Sequence, residues 1–209
     1  MITVPKRYLV LGALTLAAGL MGGVLYLSNS SSSDSPVTIK AADSCTSLST
    51  QRAVSALNEM LPERSAYSFD EEPELSQSTE ASDSFSSSCF VRGGGDTLLS
   101  ARAQMMIAEA PDIWEREVFE DESNDRRKST RFTAGIRGVA YSDKAAALIP
   151  CVPKGQIPGG AYNLSVVVDL KKHGNSDDAQ SRKKYLIDLT LSAADHAHRA
   201  AKCTLPSGM

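Results

Sequence analysis

The sequence predicts an α+β domain, an antiparallel sheet with helices packed on one side and held by two disulfides, preceded by one transmembrane helix. Three observations predict it. A long uncharged apolar run lies near the N-terminus. All four cysteines come after that run. Short β-rich runs then alternate with Gly/Pro and polar turns, with helical patterns near both ends of the domain. At 42% hydrophobic and 22% charged, the 209-residue chain is too apolar for overall disorder and long enough for one core of useful size. Its net charge of −3 argues against a nucleic-acid partner.

The apolar run, Tyr8 to Leu27, reads YLVLGALTLAAGLMGGVLYL. At about 1.5 Å rise per residue it makes a helix about 30 Å long, the thickness of a hydrocarbon core. Lys6 and Arg7 precede it and the next base is Lys40, so the charge bias keeps residues 1–7 in the cytoplasm and exports the rest. Tyr8 and Tyr26 fall at headgroup level. The lipid bilayer, met through Tyr8 to Leu27, is thus the first expected partner. A cleaved secretory signal is the rival reading. Signal cores run about 7–15 residues and end at small groups. This run is longer and ends in bulky Val24 to Leu27, with only Ser28 and Ser30 as a poor cleavage site. Gly19 and Gly23 form a G-x-x-x-G pair that permits close helix approach. Residues 28–44, beginning SNSSSSDS, read as a Ser-rich flexible linker. They separate the run from Cys45, too far for a lipid-anchor cysteine.

Cys45, Cys89, Cys151 and Cys203 show no C-x-x-C spacing, which disfavours zinc and thioredoxin-like redox chemistry. An even count on the exported side points to two disulfides. Four cysteines allow three pairings. Cys45–Cys89 with Cys151–Cys203 is favoured because each bond then closes one half of the domain.

The domain is expected over residues 45–206. Val54, Leu57 and Leu61, with Ala53 and Met60, mark a helix that Ser47 or Ser49 caps and Pro62 ends. Tyr67 and Phe69 alternate as a short strand, and Glu71 to Ser84 is a polar loop. Phe85 to Arg92 is a strand carrying Cys89, Gly93 to Asp96 a turn, and Thr97 to Ile107 a second strand whose Ala and Met content also permits a helix. Pro111 opens a short helix with Ile113, Trp114 and Val118 on its apolar side. Glu120 to Arg131 is a charged loop. Phe132 to Tyr141 and Ala145 to Val152 are strands about a turn at Ser142 to Lys144, followed by a loop from Pro153 to Gly160. Tyr162 to Leu170, with Val166, Val167 and Val168, is the strongest strand. Tyr185 to Leu191 alternates as a further strand, and Ser192 caps a final helix from Ala193 to Lys202.

The layout invites comparison. A basic N-terminus, one apolar span, a Ser-rich spacer and a four-cysteine domain, with I-P-C-V-P at Ile149 to Pro153 and A-A-K-C-T-L-P at Ala200 to Pro206, resemble membrane-anchored or secreted four-cysteine proteins of actinobacteria. The resemblance implies an envelope location and brings no settled activity. Several such proteins are lipoproteins, and this chain lacks their attachment box.

No catalytic, cofactor-binding or metal-ligating set emerges. His196 and His198, two apart on a helix, point about 200° from each other and cannot share one ion. Asp195 and His198 are close enough along a helix to meet. Ser181 to Lys184 matches S-x-x-K by composition alone, and no G-x-S-x-G elbow is present. Gly93 to Gly95 reads as a hairpin turn rather than an anion cradle. The acids from Glu120 to Asp125 lack a calcium-loop pattern and face neighbouring arginines. Asn29 and Asn163 sit in N-x-S sequons. The expected function is therefore a membrane-anchored extracytoplasmic domain, non-enzymatic and with no cofactor, that binds a protein partner or serves the envelope. The alternatives are a hydrolase-like enzyme using Asp195, His198 and a distant serine, or a secreted protein freed by signal cleavage. The Trp114 helix is a candidate surface, although a tryptophan at helical spacing more often fills a core.

Overall fold

A computed structural model describes residues 36–72, 85–120, 129–157, 160–174 and 178–209. The expected span Tyr8 to Leu27, the linker as far as Ser35, most of the polar loop before Phe85, and the acidic run beyond Glu120 lie outside them. Among the described residues no helix is long and apolar enough to cross a membrane.

The described chain builds seven strands: β1 Ser68–Glu72, β2 Ser86–Gly93, β3 Asp96–Ile107, β4 Thr130–Phe132, β5 Arg137–Ala140, β6 Lys144–Ile157 and β7 Gly160–Leu170. Three α-helices accompany them: α1 Gln51–Met60, α2 Pro111–Val118 and α3 Ala179–Ala200. The strands form one sheet in the order β1-β2-β3-β7-β6-β5-β4, antiparallel at every pairing. It is two meanders joined at β3 and β7, in register from Leu99 opposite Leu170 to Ile107 opposite Tyr162. The β2–β3 turn needs positive φ at both central residues, which Gly94 (62°) and Gly95 (85°) supply.

Alternation along the strands sorts side chains to two faces. On one face Ala101, Ala103 and Met105 of β3, Leu164, Val166 and Val168 of β7, and Ala145, Ala147 and Ile149 of β6 share a core with α1 and α3. Alanines on β6 and on α3 (Ala193, Ala194, Ala197) let helix and sheet approach closely. The opposite face carries a smaller core of Trp114, Phe119, Val139, Tyr141, Ala146 and Leu148. Helix α2 therefore lies on the side away from α1 and α3, which corrects the expectation that all helices share one side.

Several local expectations change for physical reasons. Tyr185 to Leu191 is not a strand, and Ser192 caps nothing. Both lie inside α3, whose buried Leu186, Leu189, Thr190, Ala193, Ala194 and Ala197 follow a helical period across a window longer than the seven residues that alternate. Asp178 caps this helix, accepting from the amides of Gln180 (2.7 Å) and Ser181 (3.0 Å). Ser192 instead donates to the Ser47 carbonyl at 3.0 Å and accepts from Thr50 at 3.0 Å. Thr50, rather than Ser47 or Ser49, caps α1. Glu71 and Glu72 belong to β1, where the Glu71 carboxylate accepts from the Thr46 amide at 3.1 Å. The expected strand Phe132 to Tyr141 divides into β4 and β5. Gly135 turns there with φ 54°, and a Cβ would come within 2.7 Å of the Leu148 carbonyl oxygen. β6 runs on to Ile157 through the stretch expected as a loop, with an irregularity after Pro150, which has no amide to give the ladder. Ile113 is 40% exposed, so Trp114 and Val118 alone form the packed side of α2.

The structure contains two disulfides, Cys45–Cys89 and Cys151–Cys203. The first fastens the turn before α1 to β2. The second fastens β6 to the tail after α3, where the Thr204 and Leu205 amides also donate to the Cys151 carbonyl (2.9 and 3.0 Å). Each half of the domain thus holds a meander, a helix and a bridge.

With loop separations of 44 and 52 residues, each bond stabilises by about 4 kcal/mol in the chain-entropy account. Replacing Cys45 and Cys89 together with serine is expected to remove about that much from the unfolding free energy measured in denaturant. The Asp178 carboxyl is held below the ordinary carboxylate range, first by the Ser181 amide, then by the Ser181 hydroxyl and the Gln180 amide. A depressed folded-state value gives stability that is present above the unfolded value of about 4 and lost as pH falls through the folded one. Asp178→Ala should therefore lower Tm at pH 7, and the gap to wild type should close below about pH 4.

Candidate functional site: the uncovered half of the sheet

Helix α2 is short, and the core beneath it is built from β5, β6 and Val167 of β7, with Met106 alone reaching it from β3. Glu115 fixes it there, accepting from Arg137 at 2.7 Å and Arg131 at 2.9 Å, while Arg137 also donates to Asp112 at 3.0 Å. The Trp114 indole is 1% exposed and donates to the Ser165 hydroxyl of β7 at 2.9 Å. Trp114 is core, with one edge on the boundary of what α2 leaves open.

Beyond that edge no described element covers β2, β3 and the outer side of β7. The register sets three rows across the strands: Ser86, Gln104 and Ser165; Ser88, Arg102 and Val167; Phe90, Ser100 and Asp169. Arg102 and Gln104 are exposed, whereas Ala101, Ala103 and Met105 between them are buried on the helix face. The rows form a groove of about 260 Å³ lined by Ser100, Arg102, Gln104, Ser165, Val167, Asp169 and Lys171. Asp169 pairs with Lys171 at 2.6 Å, and toward the sheet edge Asp70 pairs with Arg92 at 2.7 Å. The Arg102 guanidinium lies 5.5 Å from the centre of the Phe90 ring. Such a surface offers hydrogen-bond donors and acceptors of both charges but no activated nucleophile.

The residues weighed for chemistry lie elsewhere. Asp195 pairs with Arg199 rather than with His198. The His198 Nε2 meets the Leu205 carbonyl oxygen at 2.8 Å, which places the proton on that nitrogen. His173 Nδ1 meets the Gly174 carbonyl at 2.7 Å. Ser181 donates to Asp178 at 2.9 Å, an engagement within the helix cap. Asn163 is buried in β7. Among the described residues no group of three or more His, Cys, Asp or Glu could hold a metal ion. Arg102, Phe90 and Gln104 were not singled out by sequence. The signal that could have found them is the alternation of Arg102 and Gln104 with small apolar neighbours in one strand.

The fold and the groove define a disulfide-fastened α+β domain with α1 and α3 on one sheet face and, among the described residues, no element over the β2–β3 part of the other. Comparison with known proteins finds no matching protein family, characterised protein or solved structure.

If Trp114 is core, Trp114→Ala should cost about 3–5 kcal/mol of unfolding free energy. Trp114→Phe should cost less and release the Ser165 hydroxyl. Both are read by denaturant titration followed by circular dichroism.

Proposed function

We propose that this chain is a membrane-anchored, extracytoplasmic binding protein, non-enzymatic and without a cofactor, whose recognition surface is the uncovered half of the sheet. Tyr8 to Leu27 anchors it in the bilayer, residues 1–7 remain in the cytoplasm, and the exported domain starts before the expected residue 45, since Ile39 is buried in the core and bonded to Asn58. The observation that carries this reading is that no described element covers the face around Arg102 and Gln104, whereas α1 and α3 pack on the other face of the sheet. A solvated sheet face with a stacked guanidinium, an amide and several hydroxyls suits a protein partner. Two disulfides favour an oxidising, exported location. The hydrolase alternative draws no support from the contacts of Asp195 and His198, each engaged with another group.

The reading is tested by in-cell cross-linking. Arg102→Ser with Gln104→Ser should abolish a cross-linked partner band. Arg52→Ser with Lys184→Ser, on the outer helix surface, should leave it intact. The opposite pattern would place recognition on the helices. Protease added to intact cells should digest the exported domain, and the mature mass should lie four protons below the reduced value. A protected domain with alkylatable thiols would remove the proposed location.

A further inference from the structure

Arg102 is an exposed cation in the middle of the bare face, and among the described residues it makes no ion pair. Its neighbours across the strands are Ser88 and Val167, neither of them charged. The nearby acids are occupied or distant: Asp169 holds Lys171, Asp70 holds Arg92, and Glu72 stands at the sheet edge with Ser88 between it and Arg102. The Arg102 guanidinium lies over the Phe90 ring, 5.5 Å from its centre, and its N–H donors meet no carboxylate among the described residues. A planar fork of donors on an aromatic support matches the two oxygens of a carboxylate.

We propose that this face takes an acidic segment of a partner polypeptide, one Asp or Glu carboxylate accepting two hydrogen bonds from Arg102. The inference rests on the bare face being the recognition surface. The groove, about 260 Å³, lies below the roughly 300–1,000 Å³ of small-molecule sites. It is large enough for one acidic side chain. The Asp169–Lys171 pair lines the groove and the Asp70–Arg92 pair lies toward the sheet edge, polar groups of the kind that surround an anchor residue in protein interfaces, where arginine beside an aromatic ring is a common anchor.

The full chain in detergent provides its own reporter, since its single tryptophan bonds to Ser165 in the groove. A blocked peptide alternating Glu and Ser, the same peptide with Gln for Glu, and glutarate are titrated by calorimetry and tryptophan emission. The Glu peptide should bind, weaken with added salt, and lose roughly tenfold to hundredfold in affinity in Arg102→Gln. Arg102→Lys should bind at an intermediate level, and Arg52→Gln like wild type. Equal binding of the Gln peptide, or an unchanged affinity in Arg102→Gln, overturns the acidic assignment while leaving the face as a recognition surface. Binding of glutarate without the peptide makes the ligand a small acid and overturns the polypeptide assignment. Binding of no probe overturns the acidic assignment. If Arg102→Ser with Gln104→Ser also keeps the cellular cross-link, the recognition surface falls with it.

Discussion

The pairing of β3 with β7 is the constraint on which the rest of this domain depends. Ala103 and Val166 are far apart in sequence, yet they face each other at the centre of the sheet. Without that ladder the chain is two separate meanders, each with one extra raw edge. With it, one continuous sheet serves two purposes at once. The residues of β3 and β7 that point to the helices complete the main core, and the alternating residues that point away form the groove. A non-local ladder of this kind is costly to close and slow to find. The disulfides do not bridge it. Each fastens a helix layer to its own meander and leaves the β3–β7 joint to backbone hydrogen bonds and side-chain packing.

Coverage of the two faces is unequal for a simple reason of length. α1 and α3, the latter 22 residues long, roof one face. The 8-residue α2 reaches only part of the other. The side chains left bare are chiefly polar, with Phe90 sheltered beneath a guanidinium, so the exposure carries little hydrophobic cost. The outer edge of the sheet is protected in a similar manner. β1 carries Asp70, Glu71 and Glu72, charges that discourage another chain from adding a strand. The hydrogen-bond chain from the Thr50 hydroxyl through the Ser192 hydroxyl to the Ser47 carbonyl ties the start of α1 to the middle of α3, so the two-helix roof is fixed by a polar contact as well as by apolar packing.

Much of the fold was legible because its signals are local. The α1 pattern, the Gly-rich β2–β3 turn, the Val166 to Val168 run and the proline at the start of α2 each state their own structure within a few residues. The disulfide pairing followed from the halves of the chain each bond would close. What failed was also local reasoning. Tyr185 to Leu191 satisfies period two over a short window, and only packing against β6 and β7 selects the helical period. Gly135 breaks a strand because of a carbonyl on another strand, which no neighbour in sequence announces. The site was the least legible part. Arg102 and Gln104 show the period-two alternation of a half-exposed strand, but that α2 would stop short of them depends on strand order.

In this domain alternate residues along β3 face opposite environments, one sealed by helices and one open to solvent. Paramagnetic relaxation of side-chain protons by an inert soluble agent, measured on the full chain, tests it most directly. Strong enhancement at Arg102 and Gln104 with almost none at Ala103 and Met105 is the expected result. Equal enhancement at all four, or protection of Arg102 and Gln104, would contradict it.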